Sequence, residues 1–163
     1  MQLLASEEYG LRCLLQLARG HGGPPVAVPE IAAAEGLSLE YAAKLLRQLR
    51  LAGLVQSVRG ASGGYELARA PEEISVWSVL EALGGEFFAG DFCDCHPGAR
   101  RRCVRTADCS LRALWRRVQG ALRDALGGVS LADLARDEQA MAAWLAARPL
   151  DAGRIQIQGG SAT

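Results

Sequence analysis

Two amphipathic helical patterns joined by a glycine, followed at once by two short strand patterns, constrain the fold of this chain most. Pro29 at a first helical position opens a short helix, Gly36 ends it, and Ser38 begins a longer one. Four apolar residues share one face of that longer helix: Ala42, Leu45, Leu46 and Leu49. Two helices joined by a turn at Gly36 predict a helix-turn-helix.

A turn-rich tip separates the two strand patterns. Residues 54–58 and 65–68 read as short strands, and residues 59–64 (RGASGG) supply the turn between them. A hairpin directly after a helix-turn-helix is a wing. The sequence therefore predicts a mainly α-helical fold with a small β-hairpin wing, that is, a winged helix-turn-helix.

Helical patterns also lie on both sides of this unit. Ser6 is the predicted N-cap of a first helix that ends before Gly20, and Ser75 is the predicted N-cap of a helix that stops at residues 84–85. Ser110 is expected to cap the longest helix, which residues 127–128 end. Its apolar stripe consists of Leu111, Leu114, Trp115, Val118, Leu122, Ala125 and Leu126.

That stripe is wide for a single surface helix, so we expect one flank to pack on its own domain and the other on a second copy, giving a homodimer. Ser130 and Asp133 predict a capping box that opens a short return helix, and residues 139–148 predict one more helix. The expected organisation is a DNA-binding winged helix-turn-helix at 1–84, a cysteine-rich loop at 85–109, a dimerisation helix and return helix at 110–137, and a partly disordered extension at 138–163.

Composition narrows the function classes. The 163 residues are half apolar, enough for a buried core, and their net charge of zero argues against a protein that coats nucleic acid indiscriminately. The N-terminus lacks a secretory pattern and no apolar run is long enough to span a bilayer, so we expect a cytoplasmic protein with no membrane partner. No catalytic constellation stands out, and we expect no enzyme.

One short segment holds most of the thiols. Residues 93–109 contain four of the five cysteines, separated by one, seven and five residues. Thiols stay reduced in the cytoplasm, so this clustering indicates metal binding or redox sensing. The spacing favours an iron-sulphur cluster, which accepts thiolates spread along a loop, although zinc remains an alternative. Cys13 lies far away and is expected to be a small buried residue.

The helix after Gly36 is the candidate DNA-reading element. Hydrogen-bonding groups and cations lie along the face opposite its apolar stripe, as contacts to base edges and phosphates require. The wing adds Arg59, whose glycine-rich surroundings permit close approach to a minor groove. The predicted DNA-binding residues are Ser38, Glu40, Tyr41, Lys44, Arg47 and Gln48 in the helix, and Arg59, Ser62 and Gly63 in the wing.

Four stretches together resemble the IscR/NsrR family of bacterial winged-helix transcription regulators, also called the Rrf-two family. They are residues 6–19 (SEEYGLRCLLQLAR), 37–48 (LSLEYAAKLLRQ), 52–69 (AGLVQSVRGASGGYELAR) and 109–115 (CSLRALW). The resemblance covers roughly residues 1–137 and is most specific at residues 57–65. It implies a homodimer on a pseudo-palindromic operator, with the helix that starts after Ser38 in the major groove and Arg59 in the minor groove.

The resemblance also implies a [2Fe-2S] or [4Fe-4S] cluster that senses nitric oxide, redox state or cluster supply. Its ligands would be Cys103, Cys109 and Cys93, with Cys95 as a rival to Cys93, and Glu8 of the partner subunit as the fourth. Arg112 stands where the iron-sulphur-assembly regulator has a histidine ligand, which argues against identity with that regulator. Two alternatives stay open: a cluster-free or zinc-binding regulator of the same family, and a metal-binding adaptor without specific DNA affinity.

Overall fold

A computed structural model describes residues 3–60, 62–85, 87–88, 92–96, 98–101, 103–105 and 108–148. The fold is mainly helical with one antiparallel hairpin, as predicted. In chain order the elements are α1 (Ala5–Arg19), α2 (Val28–Glu35), α3 (Leu39–Leu51), β1 (Val55–Val58), β2 (Gly64–Leu67), a 3₁₀ turn (Pro71–Glu73), α4 (Val76–Gly84), α5 (Phe92–Cys95), α6 (Ser110–Gly127), α7 (Leu131–Leu134) and α8 (Glu138–Ala146).

The core lies where α1, α2 and α3 meet the hairpin. The predicted apolar face of α3 is confirmed, since Ala42, Leu45, Leu46 and Leu49 are all 0% exposed. The three leucines share one cluster with residues of α1, α2, both strands, α4 and α7. Burying a leucine side chain contributes about 1.5–3 kcal/mol, so this face holds α3 in a fixed orientation about its own axis.

Side-chain caps define several helix starts as the sequence predicted. Ser38 accepts a hydrogen bond from the Tyr41 N–H at 3.2 Å, and Ser75 accepts one from the Ser78 N–H at 3.2 Å. Ser130 and Asp133 form the expected capping box before α7. Gly36 ends α2 in the left-handed conformation, with a φ of 65°, which allows the tight turn into α3.

Two predicted caps are wrong. Helix α1 begins at Ala5, not after Ser6, because the Glu7 carboxylate accepts the Leu4 N–H at 2.6 Å and supports an earlier start. Helix α6 begins at Ser110 itself, and its N-cap is Cys109 in an extended conformation. The cysteine segment, expected as a loop, contains the one-turn helix α5.

The wing is attached to the segment before α2. The Val26 N–H donates to the Tyr65 carbonyl and the Tyr65 N–H donates to the Val26 carbonyl, both at 2.9 Å. A β-carbon added at Gly64 would lie 2.3 Å from the Val26 carbonyl oxygen, and one at Gly63 would lie 2.5 Å from that of Val58. Gly60 has a φ of +125°, which side chains rarely tolerate. Side chains at these glycine positions would therefore clash with the backbone or require a strained conformation.

Helix α6 packs against α4 but leaves part of its apolar stripe uncovered. No residue of α6 is fully buried, and Leu111 and Leu114 are 53% and 48% exposed. Trp115 has an edge-on contact with Phe87, whose ring centroid lies 6.2 Å away. After α6 the chain returns to the N-terminal core, where the Leu131 N–H donates to the Ile74 carbonyl at 2.9 Å.

The last described element is α8. The predicted helix at residues 139–148 is confirmed with slightly earlier bounds, Glu138–Ala146. Trp144 packs against two guanidinium groups, those of Arg136 at 5.4 Å and Arg148 at 4.5 Å from its ring centroid. Residues 149–163, where a partly disordered tail was predicted, lie outside the described residues. Across the described ranges, no helix has the length and apolarity needed to cross a membrane.

The wing attachment can be tested with Gly64→Ala. Its methyl group would push against the Val26 carbonyl, and relief requires the hairpin or the α1–α2 connection to shift. We expect the free energy of unfolding to fall by about 1–3 kcal/mol in urea denaturation. Gly20→Ala is the matched control, because a β-carbon there meets nothing closer than 3.8 Å. Equal stability of the Gly64→Ala variant and wild type would contradict the tight contact.

Candidate DNA-binding surface and cysteine segment

The outer face of α3 presents charged side chains to solvent. Glu40, Lys44 and Arg47 are exposed, whereas Gln48 is partly buried. The Ser38 hydroxyl is engaged in capping α3. Apart from Tyr41, the residues predicted in the helix therefore divide into three exposed charged groups, one partly covered amide and one capping residue that fixes the start of the helix.

Tyr41 differs from the other members of the predicted set because it packs against the core from the edge of this face. Its ring lies 6.1 Å from that of Tyr9 in α1, at an interplanar angle of 82°. The Arg12 guanidinium lies 5.4 Å from the centre of the Tyr9 ring. Sequence reasoning missed Tyr9 and Arg12, since nothing local to α1 indicates that Tyr9 meets α3.

The wing tip presents Arg59 next to the hairpin's glycines. Arg59 and Ser62 are exposed, and Gly63 is partly buried in the turn, where its N–H donates to the Gly60 carbonyl at 3.0 Å. The structure does not describe residue 61. Across the strands, the Gln56 amide donates to the Glu66 carboxylate at 2.7 Å. Arg59 therefore stands on a hairpin held both by its own ladder and by the Val26 bridge.

Charge on α3 and the wing favours an anionic partner. The exposed cations Lys44, Arg47 and Arg50 on α3 outnumber the exposed Glu40, and Arg59 adds another cation at the wing tip. Cations on one helix face and on a projecting hairpin can contact phosphates at two separate places on a duplex. This local excess exists although the net charge of the whole chain is zero.

Three thiols of the cysteine segment are free and partly exposed: Cys93, Cys103 and Cys109. Cys93 and Cys95 both belong to the one-turn helix α5, and the side chain of Cys95 lies outside the described residues. Cys109 is the N-cap of α6, where a helix favours anionic groups. Soft sulphur donors of this kind fit an iron-sulphur cluster. Within the described part of a single chain, however, no three His, Cys, Asp or Glu residues form a group that could hold a metal ion.

Glu8, the predicted partner-subunit ligand, has a partner within its own chain. Its carboxylate lies 2.7 Å from the Arg12 guanidinium, and both side chains are about half exposed. The hydrogen bond and the charge of Glu8 raise the pKa of Arg12 above its usual value. Arg112, three residues after Cys109, lies in the first turn of α6.

Cys13 is buried in the core, as predicted, with 0% exposure. Burial, with a smaller effect from the negative charge of Glu35, raises its pKa to about 11. The thiolate is the reactive form of cysteine. The buried Cys13 is therefore expected to react far less readily than the partly exposed thiols at 93–109.

Alkylation of the folded protein should discriminate between the two kinds of thiol. At pH 8, about three units below the pKa of Cys13, roughly one Cys13 in a thousand is ionised. In metal-free folded protein, we expect iodoacetamide to modify Cys103 and Cys109 while peptide mass spectrometry finds Cys13 unmodified. Unfolded protein in guanidinium is the control, and all these cysteines should react there. Equal labelling of Cys13 in the folded protein would contradict its burial.

Comparison with known proteins identifies the family. A model of the Rrf2 family, described as an iron-dependent transcriptional regulator, matches residues 4–137. The protein Rrf2 of Nitratidesulfovibrio vulgaris is 39% identical over 137 residues, covering 84% of this chain and 89% of that protein. The helix-turn-helix regulator IscR of Aliivibrio salmonicida is 34% identical over 139 residues, covering 85% of this chain and 80% of that protein.

Solved structures support the same family assignment. CymR of Bacillus subtilis, a global cysteine regulator, has a TM-score of 0.64 and 32% identity, covering 83% of this chain and 96% of that one. The IscR of T. potens has a TM-score of 0.63 and 32% identity, covering 82% of this chain and 85% of that one. The family and these named regulators act in transcription. This confirms the prediction from the sequence that the protein is a regulator and not an enzyme. This chain belongs to the Rrf2 family of winged helix-turn-helix transcription regulators.

Proposed function

We propose that this regulator is a homodimer that reads a pseudo-palindromic operator with α3 and the wing, and that an iron-sulphur cluster at the cysteine segment modulates its affinity. It acts on DNA in the cytoplasm, with residues 1–84 as the reading unit and residues 110–137 as the dimerisation unit. The observation that carries the DNA-binding part is the exposed charged face of α3 next to the anchored wing with Arg59.

The geometry of α3 supports major-groove reading. Its inner face is fully buried, so the outer residues Glu40, Lys44 and Arg47 hold a constant direction relative to the wing. A helix in the major groove contacts base edges while flanking cations contact phosphates. Arg59 at the wing tip then has the reach for the adjacent minor groove, with the neighbouring Ser62 and Gly63 close to the backbone.

The exposed part of the apolar stripe on α6 supports dimerisation. Leu111 and Leu114 lie one turn apart and are about half exposed in the single chain. Covering such a stripe with the same stripe of a second copy gives a closed two-fold interface. A two-fold protein reads a two-fold operator, which is the basis for proposing a pseudo-palindrome.

The cysteine segment supports a cluster by the chemistry of its donors. Cys103, Cys109 and Cys93 would hold it, with Cys95 as the rival, and Glu8 of a second subunit would complete the set. Positions two apart on a helix do not share a face, so α5 favours one ligand from its two cysteines. Iron bound here would supply a centre sensitive to nitric oxide, redox state or cluster availability. The likeness to IscR proteins adds support.

A cluster-free regulator is the second candidate, and one observation favours it. One solved structure at a TM-score of 0.64 is CymR, a cysteine regulator. In this form the DNA-binding proposal stands unchanged, and the thiols at 93–109 bind zinc or no metal.

DNA binding can be tested by fluorescence anisotropy on fragments of the promoters next to the gene. Arg59→Ala should weaken operator binding at least about tenfold by removing a groove-inserted guanidinium, which corresponds to about 1.4 kcal/mol. If Lys44 contacts a phosphate, Lys44→Ala should make the dependence of log affinity on log salt concentration less steep, reducing the size of the slope by about one.

Arg148→Ala is the matched control, because that arginine lies beyond the family-matched residues 4–137 and stacks on Trp144. It should bind the operator as wild type does. If Arg59→Ala and Lys44→Ala both bind like Arg148→Ala, the proposed reading surface is incorrect.

The cluster can be tested by anaerobic purification followed by visible spectroscopy and iron analysis. Wild type should be coloured, Cys103→Ala and Cys109→Ala should lose the colour, and Cys13→Ala should keep it, since Cys13 is buried in the core. The spectra of Cys93→Ala and Cys95→Ala then identify which cysteine of α5 binds iron. Iron-free wild type with full operator selectivity would select the cluster-free candidate, and zinc in that material would assign the thiols to zinc.

A further inference from the structure

The first turn of α3 exposes a leucine beside the charged face of the helix. Leu39 is 52% exposed, whereas the three leucines on the inner face of α3 are fully buried. Successive residues of a helix are about 100° apart, so residues four apart lie within about 40° of each other around the axis. Leu39 and the partly buried Ala43 therefore form an apolar strip. The exposed Glu40 and Lys44 form a charged strip directly beside it.

Hydrogen bonds fix the backbone on both sides of Leu39. The Leu37 N–H donates to the Ala32 carbonyl at 2.9 Å, which closes the turn after α2, and the Ser38 hydroxyl caps α3. The Ala42 N–H donates to the Ser38 carbonyl at 3.0 Å and completes the first turn of the helix. The apolar strip is therefore preorganised, and a ligand that covers it does not have to order this backbone.

We propose that Leu39 reads the methyl group of a thymine in the major groove and so selects one base of the operator. The proposal rests on the proposed role of α3 in reading DNA. In a helix-turn-helix, the N-terminal residues of the reading helix contact the base edges, and Leu39 is the first residue of α3. Thymine alone among the four bases presents a methyl group in the major groove. A half-exposed leucine gains free energy by covering that methyl group.

The neighbouring charged strip is complementary to the rest of the same base pair. An A·T pair presents O4 of thymine as an acceptor beside the methyl group, and N6 of adenine as a donor. Lys44 is a donor and Glu40 is an acceptor, so each of these two polar groups has a complementary side chain on α3. A G·C pair would offer Leu39 no methyl group. The apolar and charged strips together therefore favour an A·T pair at this position.

The experiment removes single methyl groups from the operator, which is the stretch that wild type protects on the promoter fragments. Each thymine is replaced in turn, in both half-sites, by deoxyuridine, which lacks only the C5 methyl group. Base pairing and phosphates stay the same, so the change in affinity reports the methyl contact. At one thymine position, we expect wild type to bind about fourfold more weakly per half-site, which corresponds to about 0.8 kcal/mol for one buried carbon.

Variants of the protein then assign the methyl contact to a side chain. Leu39→Ala should bind thymine and deoxyuridine equally at that position, with unchanged affinity for a random duplex. Leu39→Met keeps an apolar side chain of similar volume and should keep the preference for thymine. Leu51→Ala is the matched control, because Leu51 is 65% exposed in the last turn of the same helix, about 18 Å along its axis from Leu39. It should discriminate as wild type does.

The outcomes separate this inference from the proposed function. If wild type selects its operator but no deoxyuridine substitution weakens binding, the inference is wrong and the DNA-binding proposal stands. A methyl effect that persists in Leu39→Ala, or that disappears equally in Leu51→Ala, would also overturn the inference, because Leu39 would then not be the residue that reads the methyl group. Equal binding of wild type to operator and random duplex would reject the proposed function, and the inference would fail with it.

Discussion

The burial of one face of α3 is the constraint on which the rest of the structure depends. Ala42, Leu45, Leu46 and Leu49 are completely removed from solvent. Each residue advances the helix by about 100°, so turning α3 by one residue would expose leucines and bury charge. Truncating one such leucine to alanine typically costs about 2–5 kcal/mol. The direction of Lys44 and Arg47 is therefore set by hydrophobic packing on the opposite side of the helix.

The wing depends on a second, separate constraint, which is backbone pairing to a distant segment. Val26 pairs with Tyr65 of β2, so the two-stranded hairpin is also bonded to the segment before α2. Gly64 is required there because the two backbones approach too closely for a side chain. Together, the packed helix and the paired hairpin hold two cationic elements in a fixed relation, as a two-groove contact requires.

Sequence reasoning succeeded where the signal is local. The serine caps at Ser38 and Ser75 and the buried face of α3 follow from spacing alone, and the structure confirms them. It was wrong at Ser6 and Ser110. Helix α1 starts earlier, where the Glu7 carboxylate bonds to the Leu4 N–H, and the extended Cys109 is the N-cap of α6. The contact of Tyr41 with Tyr9 joins residues far apart in the chain, so no local pattern could indicate it. For the same reason, the spacing of the cysteines identifies candidate metal ligands but does not predict whether their thiols lie close together.

In the proposed homodimer, α6 joins two reading units, each with its own α3 and wing. Hydroxyl-radical footprinting of the operator tests this claim most directly. We expect two protected half-sites whose centres lie about 10 base pairs apart, which is one helical turn, or a multiple of that distance, with minor-groove protection where each wing lies. One protected half-site, or uniform protection that does not depend on sequence, would contradict it.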